Sequence, residues 1–133
     1  GILYAAVISV GFATLENFYY LDQYGIAVVA TRTVITVPAH AFMSVPMGYY
    51  VAKSRLLLEL TDATKFRFYL PMLTIIQGWF ISAFLHGLYD FFLSVGMERT
   101  AYLQIVLMGG ISIWLSRVAL RASRQQNYGD STA

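Results

Sequence analysis

The stretch that decides the fold is YLPMLTIIQGWFISAFLHGLYDFFLSVG, residues 69–96. It contains no lysine, arginine or glutamate, and its acidic or histidine side chains are His86 and Asp90. An α-helix rises about 1.5 Å per residue, so roughly 20 apolar residues cross a bilayer core about 30 Å thick. The apolar residues do not alternate with the two-residue period of a strand. The stretch therefore predicts a membrane-spanning α-helix.

Three other stretches have the same character. Together they predict spans at residues 3–22, 33–53, 69–96 and 101–120. The 133-residue chain is 58% hydrophobic and 12% charged, whereas soluble domains average roughly 25% charged residues. We therefore predict an all-α fold, a multi-pass transmembrane helix bundle with about four membrane-spanning helices. It forms one domain over residues 1–122, followed by a polar, disordered tail at 123–133.

The boundaries of the second span depend on Arg32. A charge at the bilayer centre costs at least ~2.5 kcal/mol, so the span is predicted to begin at Thr33, with residues 25–31 as an interfacial connection. A helix that began at Gly25 would be expected to carry His40 well below Glu16. The leucine-rich residues 54–60 are predicted to form a short helix on the membrane surface.

The positive charges predict the orientation. If four helices cross, seven of the nine Lys and Arg residues fall on one side, and Arg32 and Arg99 on the other. Because positive loops stay cytoplasmic, both termini are predicted to be cytoplasmic. The net charge of +2 gives no reason to expect nucleic acid as a partner, and we expect no nucleotide cofactor. The absence of cysteine excludes a disulfide framework, a thiolate zinc site and a cysteine nucleophile.

Four acidic or histidine side chains lie in the interior of the predicted spans, away from their ends. They are Glu16, His40, His86 and Asp90. Each belongs to a polar stripe with three- or four-residue spacing, the spacing of one helix face. From the predicted helix ends, all four lie roughly 9–15 Å below the outer surface. Ionisable residues are costly in lipid and commonly mark a functional site, so three helices are expected to bring these side chains together.

The residue types suggest metal chemistry. His86 and Asp90 are four residues apart and share a helix face, and His40 could add a second imidazole. Two imidazoles and a carboxylate form a plausible catalytic zinc set that leaves a position for water. The predicted ligands are His40, His86 and Asp90, with Glu16 as an alternative third ligand.

Simpler interpretations stay open for several of these residues. Glu16 could pair with Arg32, and Arg32 alone could be an interface anchor. Phe18, Tyr19 and Tyr20 are expected to form an interfacial aromatic belt. The fourth helix offers no acidic residue or histidine within its span and is expected to provide packing support.

Three blocks of sequence resemble a known family. They are GFATLEN at residues 11–17, the helix with Arg32, Pro38, His40 and Gly48, and HGLYD at residues 86–90. Blocks of this kind, in this order, are found in the PrsW-type intramembrane proteases, which are similar to the type II CAAX prenyl endopeptidases. Tyr89 stands where that family commonly has tryptophan.

The resemblance implies a protease of the bacterial inner membrane. Such an enzyme would cut a membrane-tethered protein, such as an anti-sigma factor, using metal- or glutamate-activated water. By residue-to-residue match, Glu16, His40, His86 and Asp90 would be active-site residues, supported by Asn17 and Arg32.

One departure concerns the preceding helix, which carries paired glutamates in the family. No Glu-Glu occurs in this sequence, so the chain looks truncated at its N-terminus, and an inactive fragment is one expected outcome.

Two other functions remain open at this point. A membrane haem protein would use His40 and His86 as axial ligands. A non-enzymatic scaffold or partner-binding protein would pair the same polar residues within the bundle. In each case the expected surroundings are membrane lipid and, because four helices with polar faces need covering, a homo-oligomer.

Overall fold

The described chain consists of four α-helices in a computed structural model that covers residues 1–60 and 68–130, with side chains at 1–59 and 68–123. They are α1 (Ile2–Tyr24), α2 (Ile26–Leu60), α3 (Tyr69–Ser94) and α4 (Glu98–Asp130), and the same residues contain no strand. Each helix is long and apolar enough to cross a membrane. The predicted all-α bundle with four candidate spans is confirmed.

Two glycines make the tight turns between helices. Gly25, with φ of 79°, is the single residue between α1 and α2. Gly96, with φ of 75°, ends α3; its N–H donates to the Leu93 carbonyl, and the N–H of Met97 donates to the Phe92 carbonyl. This pair of bonds is a Schellman motif, and its left-handed residue favours glycine because a Cβ would clash. The α1–α2 and α3–α4 pairs are therefore helical hairpins.

Helix α2 is the centre of the bundle and packs against α1, α3 and α4. Its small and flexible residues Ala39 and Met43 join Tyr89, Ala101 and Met108 in a buried cluster. Large apolar side chains elsewhere are exposed, among them Leu3, Phe80 and Trp114 at 74%, 64% and 62%. Such exposure is unfavourable in water and is what a lipid-facing surface requires.

A proline in α2 creates a defect that two neighbouring helices repair. Pro46 has no N–H for the carbonyl of Phe42, four residues earlier. The hydroxyl of Ser112 on α4 donates to that carbonyl at 3.0 Å. On the next residue, the Met47 N–H donates to the hydroxyl oxygen of Ser82 on α3 at 3.1 Å. Both contacts link α2 to its neighbours at the level of the proline.

Helix α2 is longer than predicted at both ends. It begins at Ile26, so residues 26–31 belong to the helix rather than to a separate connection, and residues 54–60 continue it rather than forming a separate helix. A continuous helix satisfies its own backbone groups, which a break near lipid would not do. Its candidate span of 34 residues is roughly 50 Å long at 1.5 Å per residue, more than the bilayer core. The position of the bilayer along α2 stays a prediction.

The C-terminal segment also differs from expectation. It was predicted to be disordered from residue 123, but α4 continues as a helix to Asp130. Residues 121–126 are Arg, Ala, Ser, Arg, Gln and Gln, and most of these types favour a helix. Residues 61–67, which include Lys65 and Arg67 of the orientation argument, lie outside the described residues, as does the side chain of Arg124.

We expect the Ser112→Ala variant to lower the free energy of unfolding in detergent by about 1 kcal/mol, because it removes the donor to the Phe42 carbonyl. Ser116→Ala, one turn further along α4, is the matched control and should have little effect. In a Pro46→Ala background the carbonyl regains a backbone donor, so Ser112→Ala should then be nearly neutral. An equal cost in both backgrounds would show that Ser112 does not compensate for the proline.

Candidate active site

Two hydrogen bonds set the register of the antiparallel α1–α2 hairpin. Ser9 Oγ donates to the His40 carbonyl at 2.8 Å, and Asn17 Nδ2 donates to Thr33 Oγ1 at 3.2 Å. Eight residues along α1 thus correspond to seven residues back along α2. This register places Glu16 close to the level of Thr33 and places His40 about two turns deeper, beside Ser9.

Glu16 and His40 nevertheless meet, because helical side chains lean toward the N-terminus of their own helix. In an antiparallel pair these two directions are opposite, so Glu16 leans inward and His40 leans outward. Glu16 Oε2 lies 3.4 Å from His40 Nε2. A helix that begins near Gly25 does carry the His40 backbone well below Glu16, as expected, but the two side chains still meet because each leans toward the other.

Arg32 holds Glu16 from the other side. Its Nη2 lies 2.9 Å from Glu16 Oε2, and its Nε–H donates to Asn17 Oδ1 at 3.3 Å. The guanidinium also lies 3.6 Å above the centre of the Tyr20 ring. The Arg32 and Glu16 side chains are 15% and 26% exposed. Three side chains of α1 therefore form a clamp around one arginine of α2, which explains how α2 can carry Arg32 within its length.

This clamp changes two of the simpler interpretations. Glu16 does pair with Arg32, and the pair coexists with the contact to His40. The ring of Tyr20, which was expected in an interfacial aromatic belt, stacks on Arg32. The predicted supporting residues Asn17 and Arg32 bond to each other.

The ring of His40 is held at Nδ1 and faces Glu16 with Nε2. It is 4% exposed, and its Nδ1 lies 2.9 Å from the carbonyl oxygen of Thr36. A carbonyl only accepts, so this contact assigns the hydrogen to Nδ1. Nε2 then faces the carboxylate of Glu16. Nε2 is buried and has no hydrogen-bond partner among the described residues. Glu16 Oε2 is also buried, and the same oxygen faces Arg32 Nη2 at 2.9 Å. The carboxylate is therefore shared between the guanidinium and the ring of His40.

His86 brings α3 into the site. Its ring touches that of His40, with centroids 4.7 Å apart and planes at 68°. Its Nε2 lies 3.2 Å from Asp90 Oδ2, and the two side chains are 31% and 57% exposed. Axial haem ligands stand on opposite faces of a porphyrin, whereas these rings are in direct edge contact with no room for a macrocycle between them. The geometry therefore argues against the bis-histidine haem alternative.

The predicted zinc ligands are only partly assembled. Among residues 1–59 and 68–123, no three His, Asp or Glu side chains converge as a metal site. His40 faces Glu16, while His86 faces Asp90. The donor types still suit zinc, and His40 Nε2 is a buried donor atom without a hydrogen-bond partner among the described residues, whereas Glu16 Oε2 already faces Arg32. The ligand set of His40 and His86 with Asp90 or Glu16 stays a prediction.

An apolar groove of about 470 Å³ leads to the histidines. Helix α2 forms its floor with Met43 and Met47, and α1 and α3 form its walls. Phe12 and Trp79 on these walls are 58% and 60% exposed, so the groove opens on the lipid-facing side of the bundle. His40 and His86 are its titratable lining groups. The groove gives an apolar segment a path from lipid to the polar cluster.

From the sequence, no role was assigned to Ser9 or Thr36. In the structure Ser9 fixes the hairpin register, and the Thr36 carbonyl orients the His40 ring. The four-residue spacing of Thr36 and His40 was the available signal for the second contact. Which neighbouring helix Ser9 would bond to could not be read from its spacing.

Comparison with known proteins identifies the family. The family model described as PrsW family intramembrane metalloprotease matches residues 1–116. The chain belongs to the PrsW family. With four apolar helices, it is a multi-pass membrane protein of that family. No solved structure matches the chain.

Several curated PrsW relatives match most of the chain. It is 36% identical to Protease PrsW of Geobacillus kaustophilus over 94% of this chain and 49% of that protein. It is 32% identical to Protease PrsW of Shouchella clausii over 91% of this chain and 53% of that protein. For Protease PrsW of Bacillus subtilis the identity is 38%, over 71% of this chain and 39% of that protein. The chain thus spans about half the length or less of these relatives.

We expect Arg32→Gln to lower the free energy of unfolding by about 1–3 kcal/mol, because it leaves the Glu16 carboxylate without its charged partner. Arg32→Lys should recover only part of this loss, since an ammonium keeps the charge but not the planar stacking on Tyr20. A double-mutant cycle with Glu16→Gln measures the coupling, and the double variant should be more stable than Arg32→Gln alone. Additive effects would mean that the pair contributes no net coupling.

Proposed function

We propose that this chain forms the membrane-embedded part of a protease that hydrolyses a peptide bond of a membrane-tethered protein. The observation that carries the proposal is that His40 and His86, in ring contact, line an apolar groove that opens toward lipid, while Glu16 contacts His40 beside the groove. A groove of this kind accepts an apolar polypeptide segment, and the polar cluster supplies the proton-transfer groups that hydrolysis needs. Membership of the PrsW family supports the same reaction class.

The geometry suggests a role for each side chain. Water attacks the carbonyl carbon of the substrate while Glu16 accepts a proton from that water. The carbon–nitrogen bond then breaks, and that proton passes to the leaving nitrogen, which restores Glu16. Arg32 and Asn17 act as positioning residues because they fix the carboxylate that faces His40. Thr36 has the same role for the ring of His40.

The zinc hypothesis fits this scheme with His40, His86 and Asp90 as the holding residues, or Glu16 as the alternative ligand. When bound, zinc would supply Lewis-acid polarisation of the carbonyl and make bound water more acidic. If Glu16 were a ligand, another general base would be needed. The relatives extend beyond the part matched here, and the resemblance implies that a paired-glutamate helix would supply that base.

The substrate and the location are also part of the proposal. The resemblance suggests an anti-sigma factor as the membrane-tethered substrate, cut on the outer side of a bacterial inner membrane. The relatives above come from bacteria, and the seven-to-two distribution of Lys and Arg supports cytoplasmic termini. With that orientation, the Glu16 end of the α1–α2 hairpin faces outward.

A non-enzymatic scaffold is the second candidate. It is favoured by the fact that Glu16 pairs with Arg32 and His86 with Asp90 inside the bundle, as a purely structural network would. The two candidates differ in what happens when one carboxylate is changed to its neutral isostere.

Glu16→Gln tests the catalytic role. In liposomes that contain the chain and a membrane-tethered reporter, this variant should lose at least about 100-fold of the cleavage rate, because glutamine cannot accept the water proton. Asp22→Asn removes a carboxylate from the same helix outside the site and should cleave at the parental rate. A Glu16→Gln variant that cleaves normally would exclude Glu16 as the base. A parental chain that cleaves no reporter, while Glu16→Gln changes only stability, would favour the scaffold.

Elemental mass spectrometry of the detergent-purified chain tests the metal. We expect about one zinc per chain, lost in both His40→Ala and His86→Ala and kept in Asp22→Asn. Loss in only one histidine variant would contradict the two-histidine ligand set. If no variant contains metal while the parental chain still cleaves the reporter, the metal hypothesis is wrong and glutamate-activated water is favoured.

A further inference from the structure

The end of the bundle opposite the candidate active site carries a band of positive charge. Lys53 and Arg55 lie on α2, and Arg117 and Arg121 lie on α4. Tyr49 and Tyr50 come just before the cations of α2. Aromatic residues followed by Lys or Arg mark the boundary between hydrocarbon and headgroups. We therefore expect this band to lie at the level of the lipid headgroups on one side of the membrane.

A second cavity, of about 300 Å³, lies between α2 and α4 at this level. Its α4 wall consists of the small residues Ala119, Ala122 and Ser123. Its α2 wall carries longer side chains, among them Tyr49, Lys53, Arg55, Leu56 and Glu59. The space exists because small residues on one helix face long ones on the other. Arg117 and Arg121 are exposed and do not line it.

The two cations of the cavity are available to a ligand. Within the described residues, neither Lys53 nor Arg55 forms an ion pair, since the ion pairs found there all involve Arg32, His40 or His86. The nearest aromatic partner of Lys53 Nζ is the Tyr50 ring, 5.8 Å from its centroid. Glu59 is the one acidic residue in the lining, so two positive groups face one negative group.

The cavity also has an apolar part, which a dissolved anion does not need. Ala52, Leu56 and the α4 alanines provide apolar surface beside the cations, and Leu56 and Leu120 are 39% and 58% exposed. A molecule that combines a negative group with hydrocarbon matches both parts, and anionic phospholipids are that kind of molecule at this depth.

We propose that this cavity binds the phosphate-bearing headgroup of an anionic phospholipid. Lys53 and Arg55 contact the phosphate, since both side chains donate charge-assisted hydrogen bonds to its oxygens. The first carbons of the lipid lie against Leu56 and the α4 alanines. The lipid would thereby fasten the C-terminal part of α2 to α4. The site is remote from the groove and does not depend on the proposed protease function.

Native mass spectrometry of the full chain in detergent, with added phosphatidylglycerol or phosphatidylcholine, tests the proposal. We expect one phosphatidylglycerol to be retained, with about tenfold or greater preference over phosphatidylcholine, as suits two cations near an anionic headgroup. Lys53→Gln/Arg55→Gln should abolish the preference. Arg117→Gln/Arg121→Gln removes the same charge from the same end outside the cavity and should keep it. Glu59→Gln should strengthen binding, because it removes the one repulsive group.

Three outcomes would overturn the proposal. One is equal retention of both lipids by the parental chain. Another is an equal loss of preference in the two double variants, which would show that general surface charge attracts the lipid. The third is displacement of the lipid by inorganic phosphate that itself binds through Lys53 and Arg55, which would make a soluble anion the ligand. The increased lipid affinity expected of Glu59→Gln is a result that misfolding cannot produce, since a damaged fold would not bind the lipid more tightly.

Discussion

Hydrocarbon can neither hydrogen-bond a free carbonyl nor solvate a guanidinium, and at two places in α2 a neighbouring helix supplies the missing partner. The Phe42 carbonyl, freed by Pro46, accepts a hydrogen bond from Ser112 of α4. Arg32 is contacted by Glu16, Asn17 and Tyr20 of α1. An apolar interface between apolar helices in lipid would tolerate many rotations. These polar contacts favour one rotation of each helix about its axis, and so they fix which faces of α1 and α4 turn toward α2.

The candidate site is a consequence of the same constraint. Glu16 neutralises Arg32 and at the same time faces His40, so one carboxylate serves the packing of the hairpin and the polar cluster. Because α1 and α3 both pack on α2, the space between them becomes a groove with α2 as its floor. His40 and His86 meet in that groove from two of these helices. Fold and site therefore depend on a shared set of contacts.

Helix α2 connects two chemically different ends of the molecule. Its first half carries Arg32 and His40, whereas its last turns carry Lys53 and Arg55 beside the cavity with α4. A helix of this length extends beyond the hydrocarbon core or tilts within it. Its central position gives every other helix a partner, which is why α1 needs little contact with α4.

The sequence by itself determined the fold class and the candidate residues. Long apolar runs with few charges predict membrane-spanning helices. The spacing of the polar stripes that contain Glu16, His40 and His86 could be read without coordinates. It misjudged the start of α2, because the cost of Arg32 was assessed for an isolated helix and not for one whose neighbour supplies Glu16 and Tyr20. Only the tertiary structure decided that Glu16 reaches His40 and that Tyr20 stacks on Arg32. It also showed His86 turned to Asp90 while its ring touches His40. Those outcomes depend on hairpin register and on the direction in which side chains lean, and neither is encoded in the spacing along a single helix.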